Sequence, residues 1–375
     1  MPHDARRIVH LSDCYLPRLG GIEMQVHQLA TRQAALGHDV HIVTATPGGE
    51  TVEHSELTVH RVVANLPFDL PVHPRTSHHV EAILRELASP NLVAHAHAGV
   101  VSPFAWGALR AASTLRVPTV ATVHSVWGPV AQPGFRVADS VLRWSKRGVQ
   151  LAAVSGVAAA RIQAAVGDSV TVLVTPNGVD PEKWQVTPEP HAPNDVHAVA
   201  VMRLAPRKRA LPLLSIVRES VGMLPARVHL RLTMVGDGPD RSRAVSFARD
   251  HDLAVDFAGR LTHDEIRHLY ASADVFVQPS VRESFGLAAL EARTAGLPVL
   301  ARAETGISEF VTDGVEGLLV SSDHEMAVAL ARLALDVDLR QRMATHNRTV
   351  EPEQTWPRVL DDVDDAYEAA RELVR

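Results

Sequence analysis

The chain has a single cysteine, Cys14, among 375 residues. One thiol excludes an intrachain disulfide and suits a reducing compartment. No run approaches 18 consecutive apolar residues, so no segment reads as a membrane-spanning helix. Charge of one sign is also missing in bulk. The formal net charge is only −6, which gives no global pull toward nucleic acid. The opening Met-Pro-His-Asp-Ala-Arg-Arg runs straight into Ile8–Leu11, a strand pattern, so no secretion signal is expected. The 21 histidines are scattered, and no His/Cys group has metal-ligand spacing. His95-Ala-His97 puts two imidazoles on one strand face. A buried or loop-edge pair explains them better than a metal. There are no convincing internal repeats or low-complexity tracts, and no Asp-x-Asp metal site is evident. These absences predict a cytoplasmic protein, a monomer or weak dimer, that needs no metal.

The hydrophobic content of 46% with 21% charged residues is that of a globular protein, and the length predicts two domains. Strand and helix patterns alternate. Strands are predicted at Ile8–Leu11, Val40–Thr44, Val59–Val63, Leu92–Ala94, Pro118–Val123, Gln150–Val154 and Val172–Val174. Helices are predicted at Glu23–Leu36, His79–Leu87, Ser102–Leu115 and Val137–Val149. Four prolines then punctuate Pro181–Asp195, which reads as an interdomain linker. The alternation restarts at Ala198–Met202 and ends in a helix over Trp356–Val374. Two such runs predict an α/β protein with two Rossmann-like, doubly wound parallel-sheet domains. A ligand cleft is expected between them, beyond the strand C-termini.

The richest stretch is Arg282-Glu-Ser-Phe-Gly-Leu-Ala-Ala-Leu-Glu-Ala292. Val275–Val277 reads as a buried strand and Gln278-Pro279-Ser280 as its exit turn. Phe285–Arg293 reads as a helix stopped by Gly296. Glu283 then sits on the loop beyond a strand, and Glu291 about two turns along the helix. Backbone N–H groups of Ser284, Phe285, Gly286 and Leu287 become free donors at a helix N-terminus, which suits phosphate. Ionised carboxylates only accept hydrogen bonds, which suits hydroxyls. A ligand that is phosphate at one end and polyhydroxylated at the other fits both. A nucleotide sugar is such a ligand.

This string resembles the Glu-x7-Glu motif of the family-4 retaining glycosyltransferases, including its Phe-Gly and Leu-Glu-Ala. The resemblance implies that Glu283 contacts the donor sugar, that Glu291 holds the ribose hydroxyls, and that amides near Ser284–Leu287 hold diphosphate and sugar. Other segments extend the likeness over nearly the whole chain. Arg203-Leu-Ala-Pro-Arg-Lys208 resembles the family's Arg-Leu-x-x-x-Lys, whose two cations clamp the diphosphate. Met202 and Arg209 depart from it, each standing where the family has glycine, so Arg207 or Arg209 could share the role. Gly20-Gly21-Ile-Glu23 resembles the family's first glycine-rich loop, facing diphosphate and acceptor; read alone, a plain tight turn explains it nearly as well. His124 closes Thr119–His124, which resembles the family's Thr-x-His. That likeness implies a histidine beside the transferred sugar, and an ordinary pKa near 6.5 would let it donate to a hydroxyl. Gly236-Asp-Gly-Pro239 resembles a turn near the nucleotide base.

The resemblance implies the glycosyltransferase B fold. Residues 1–185 would bind acceptor and 195–350 the donor, with a 351–375 helix returning to the first domain. The implied reaction moves a sugar from a nucleoside diphosphate to an acceptor hydroxyl without a cofactor. The acceptor class stays open among small molecules, lipid-linked species and glycans. Two other functions share much of this pattern: a sugar-nucleotide epimerase, and a non-catalytic nucleotide-sugar or glycan-binding protein. A basic amphipathic stretch, Arg136–Gln150, could rest on anionic lipid, although a surface helix with its apolar side in the core is the commoner explanation of such a pattern.

Overall fold

The computed structural model describes residues 5–18, 20–48, 57–64, 73, 75–99, 101–125, 148–168, 170–190 and 192–375. They form two compact units, Met1–Gly178 with Trp356–Arg375, and Val179–Thr355.

The first unit is built on seven strands: β1 (Arg7–Ser12), β2 (Asp39–Thr44), β3 (Thr58–Arg61), β4 (Leu92–Ala98), β5 (Thr119–Val123), β6 (Val149–Ala153) and β7 (Val172–Val174). Their order is β3-β2-β1-β4-β5-β6-β7, and every neighbouring pair is parallel. Parallel strands need crossover helices, which cover both sheet faces, so central strands are apolar nearly throughout. β4 is buried at all of its positions. On one face, Val80, Leu84, Phe104, Ala108 and Ile162 pack on Val9, Leu11, Ala94 and Ala121. They come from α2 (Thr76–Glu86), α3 (Pro103–Thr114) and α4 (Gly156–Val166), whereas α1 (Gly21–Ala35) lies on the other face. There Val26 and Leu29 of α1 join Val359, Val363 and Ala366 of the terminal helix, Trp356–Glu372, against Ile8, Val93, Val120 and Ala152. Each fully buried Val or Leu contributes about 1.5–3 kcal/mol, so packing rather than intrinsic propensity holds these helices. Arg6 ties the terminal helix to β1, donating to Asp364 at 2.7 Å and Glu368 at 2.9 Å.

The second unit has six parallel strands: β8 (Asp195–Val201), β9 (His229–Val235), β10 (Val255–Gly259), β11 (Val275–Gln278), β12 (Val299–Arg302) and β13 (Gly317–Val320). They run in the order β10-β9-β8-β11-β12-β13. Helices α5–α11 are Pro181–Trp184, Ala210–Val221, Arg241–Asp250, His263–Ala271, Leu287–Thr294, Asp323–Leu335 and Val337–Thr349. The proline-rich stretch packs within this unit. Trp184 is buried, with its ring 5.9 Å from Tyr270, and Glu189 N–H donates to Ala271 at 2.7 Å. The unit's two ends lie side by side: Val179 N–H donates to the Gln354 carbonyl at 2.9 Å.

The doubly wound parallel architecture agrees with the sequence pattern. Local expectations change. Val149 begins β6 instead of ending a helix, and 126–147 lie outside the described residues, together with most of the basic amphipathic stretch. Gly317–Val320 adds a strand that the sequence pattern does not mark. The helix after Glu283 starts two residues later than predicted.

Candidate active site

The basic loop after β8 is held by a second loop. Met202 N–H donates to Val235, and Leu204 N–H to Asp237, both at 3.0 Å. Gly236 has φ +122°, and a β-carbon there would lie 2.0 Å from the Met202 carbonyl oxygen. Only glycine permits that approach. The interlock fixes the backbone at Arg203, which is exposed and has no ion-pair partner among the described residues. Lys208 ends the 3-10 turn Pro206–Lys208 and donates from Nζ to Glu283 Oε2 at 2.5 Å, across 75 residues of sequence. Arg209 is engaged elsewhere, with Nη2 2.5 Å from Asp323, which also binds Arg302. Of the spare cations, Arg207 therefore remains exposed while Arg209 is committed to Asp323.

Glu283 is 8% exposed. Gln278 Nε2 also donates to it, at 3.4 Å, and Ser280 Oγ donates to Gln278 Oε1 at 3.2 Å, which orients that amide. Gln278 and Ser280 read as a plain exit turn in the sequence. The next segment corrects the expected amide cradle. Ser284 and Phe285 lie in the loop, Gly286 caps α9 at φ +94°, and Leu287 and Ala288 supply the first-turn N–H groups. Phe285 is a core residue, 2% exposed, with its ring 5.5 Å from Phe310.

Glu291 is 7% exposed, and its carboxyl has no protein partner among the described residues. Burial penalises the anion and pushes its pKa up to about 8. The expectation of an ionised Glu291 is thereby corrected: near neutral pH it is a carboxylic acid that both donates and accepts. The buried Tyr270 phenol is raised well above its usual range, first by desolvation and then by Glu291.

Gly20, Gly21 and His124 belong to the first unit. Gly20 caps α1, and a β-carbon there would meet the Glu23 carboxylate at 2.4 Å. Glu23 is itself buried, 3.3 Å from Arg18. A protein carboxylate thus sits by the N-terminus of α1. Around Gly21 a β-carbon would meet nothing. His124 is half-buried beyond β5, its N–H donating to the Ala98 carbonyl at 2.8 Å and its Nε2 3.0 Å from His97 Nδ1. Burial drops its pKa to about 4, so the expected near-neutral titration gives way to an uncharged ring.

His10, His95 and His97 bring a ring nitrogen each within 4.8 Å of one another, from adjacent β1 and β4. All six of their ring nitrogens already face protein partners at 2.7–3.0 Å. A cation there would have to break that network.

Two doubly wound parallel-sheet units are the architecture of the glycosyltransferase B fold. The model described as glycosyl transferases group 1 matches residues 185–350, and that of glycosyltransferase family 4 matches 19–183. A GDP-mannose-dependent α-mannosyltransferase of Mycolicibacterium smegmatis is 30% identical, over 97% of each chain. A D-inositol 3-phosphate glycosyltransferase of Stackebrandtia nassauensis is 30% identical, over 93% of this chain and 86% of that one. Anabaena HepE, solved with UDP, superposes with a TM-score of 0.77 at 20% identity, covering 97% of this chain and 100% of the other. The chain belongs to glycosyltransferase family 4. No helix among the described residues is long and apolar enough to cross a membrane.

Proposed function

We propose that this enzyme moves a hexosyl group from a nucleoside-diphosphate sugar to an acceptor hydroxyl with retention of anomeric configuration. One observation supports the reading: Lys208 donates from Nζ to Glu283 Oε2 at 2.5 Å, which sets a cation and a hydroxyl acceptor side by side beyond the strand ends. An anion takes the ammonium and a sugar hydroxyl takes the carboxylate, so a phosphosugar exchanges partners with both at once. Arg203 and Lys208 then clamp the diphosphate, and the Leu287 and Ala288 amides add the positive end of a helix. Glu291 faces the ribose hydroxyls as a neutral acid, able to donate one hydrogen bond and accept others. The family resemblance assigns Gly20 and Gly21 of the first unit to diphosphate and acceptor, and uncharged His124 to a sugar hydroxyl.

In the reaction the bond from anomeric carbon to phosphate oxygen breaks, and its electron pair stays on the phosphate. The acceptor oxygen arrives on the same face, and its proton passes to the departing oxygen. The fixed cations stabilise the developing diphosphate charge, the term expected to dominate. That arrangement works without a metal ion or a protein nucleophile.

GDP-mannose and UDP-glucose are the first donors to assay, since a 30% identical relative is named for the former and HepE was solved with UDP. Donor turnover with an α-linked product by NMR, unaffected by EDTA, is the expected result. Turnover of the donor to an isomer without any acceptor would point to an epimerase instead. Tight donor binding with no turnover against any acceptor would point to a binding protein.

A further inference from the structure

Arg209 stands at a joint in the second unit. Its N–H closes the 3-10 turn Pro206–Lys208, meeting the Ala205 and Pro206 carbonyls at 3.2 and 3.1 Å. Its own carbonyl accepts from Leu213 of α6 at 3.0 Å. Between the two, φ of +64° and ψ of +40° are left-handed. That conformation is costly for a residue with a β-carbon and free for the glycine that the family has here. In this chain the side chain does the holding: Nη2 lies 2.5 Å from Asp323 Oδ2, across 114 residues of sequence.

Asp323 is itself fixed. It opens α10 behind the Ser322 cap, whose hydroxyl accepts from Glu325 N–H at 3.1 Å. Arg302, 5% exposed at the end of β12, donates to its other oxygen. Ser220 Oγ of α6 donates to the Ala327 carbonyl of α10 at 2.8 Å, and Leu213 and Leu214 share a core with Met326 and Leu330. The two helices thus form one body, and residue 209 is where the basic loop can turn against it. A change of φ there would swing Lys208, while Glu283 on the loop after β11 would not follow. Their contact at 2.5 Å would part. Ser280 Oγ also donates to the Lys208 carbonyl, at 3.4 Å, but that contact holds the peptide and not the dihedrals of the next residue.

We propose that Asp323 is a positioning residue of the donor site: through Arg209 it holds the left-handed joint that aims the Lys208 ammonium. That this aim serves a diphosphate rests on the reaction proposed above; the latch itself does not.

The test exploits a scarcity, since the chain has only three lysines, Lys146, Lys183 and Lys208. Reductive 13C-methylation of the full-length protein gives a simple NMR spectrum. Lys208 is assigned by the signal lost in Lys208→Arg, and Glu283→Gln marks the position of an uncoupled Lys208. Arg209→Ala keeps a β-carbon and removes the tie, so the Lys208 signal is expected to move to the uncoupled position. Asp323→Ala should do the same. If that variant fails to fold with Arg302 left unpaired, Arg209→Ala answers alone, because Asp323 and Arg302 stay paired in it. Arg209→Gly, alone or combined with Asp323→Ala, adopts the joint freely and should return the signal toward wild type. In transfer assays with GDP-mannose or UDP-glucose, Arg209→Ala should raise KM about tenfold with kcat within about twofold, because the donor selects the minor, correctly aimed loop. The double variant should bring KM back to within about threefold of wild type. A Lys208 signal unmoved in Arg209→Ala would overturn the latch. So would a signal lost equally in Arg209→Gly, which would make the Arg209 charge itself the requirement. A raised KM that persists in the double variant would reduce Asp323 to support of the fold and overturn the proposal as well. A signal that moves as stated while KM stays put would leave the latch and overturn its role in the donor site.

Discussion

Replacing Glu291 by glutamine should change how stability depends on pH, in a direction and by an amount that burial dictates. The side chain is 7% exposed, and its pKa rises from an ordinary 4.5 to about 8. In the unfolded chain Glu291 ionises near 4.5; in the folded protein it holds its proton until about 8. Between those values the folded state binds more protons, so stability falls as pH rises. It is full below pH ~4.5, and the loss is complete above pH ~8. At about 1.4 kcal/mol per decade the whole loss is about 5 kcal/mol, of which about 2.5 kcal/mol falls between pH 5 and pH 7. Glutamine has the same shape and no proton to lose. The second unit should therefore melt at progressively higher temperature than wild type as pH rises from 5 to 7, the gap growing by about 5–10 °C at 2–4 °C per kcal/mol. Calorimetry on both proteins across pH 5–8 measures this, and titrations elsewhere cancel in the difference. Parallel curves, with a gap that stays constant to within about 1 °C, would refute the buried neutral acid.

Other outcomes follow from the same geometry. Lys208→Ala removes the diphosphate cation and leaves Glu283 without its ammonium, so kcat/KM for transfer should drop by about 10²–10³; near wild-type rates in both this variant and Glu291→Ala would defeat the assignment. Gly286→Ala puts a β-carbon 2.5 Å from Ile307 Cγ1 at φ +94° and should destabilise the second unit by about 2–4 kcal/mol in urea titration. Arg209 holds φ +64° where the family has glycine. Arg209→Gly relieves about 1 kcal/mol of backbone strain against a part-exposed ion pair worth about as much. Its urea midpoint should stay level or rise, and a loss above about 2 kcal/mol would contradict that balance.

The sheets were legible because buried parallel strands leave apolar runs that need no partner to be recognised. Gly317–Val320 escaped because four residues led by glycine look like a turn until Val299–Arg302 lies beside them. The helix Asp323–Leu335 carries a readable signal, with Met326, Leu330 and Leu333 buried behind the Ser322 cap. The helix Val337–Thr349 has only Leu339 and Met343 as buried apolar anchors, too few to show a period. At the site, residue types and order were visible in the motifs, but charge states were not. Burial lifts Glu291 and lowers His124, and burial is a property of the folded neighbourhood. The contact of Lys208 with Glu283 likewise depends on β8 and β11 lying side by side. The histidine cluster was half visible in His95-Ala-His97. His10 joined it only through strand register, and Tyr367, which meets His95, only through the terminal helix.

That helix has a consequence for biogenesis. Trp356, Val359, Val363 and Tyr367 are translated only after all of Val179–Thr355, yet they fill the interior beside Ile8 of β1. Emerging amino-terminal domains ordinarily fold first on the ribosome. Here the leading half must wait, its hydrophobic flank bare, while everything from Val179 to Thr355 is synthesised and can already settle. Maturation therefore runs against the direction of synthesis. A nascent chain stalled just before Trp356 would be the form most in need of a chaperone.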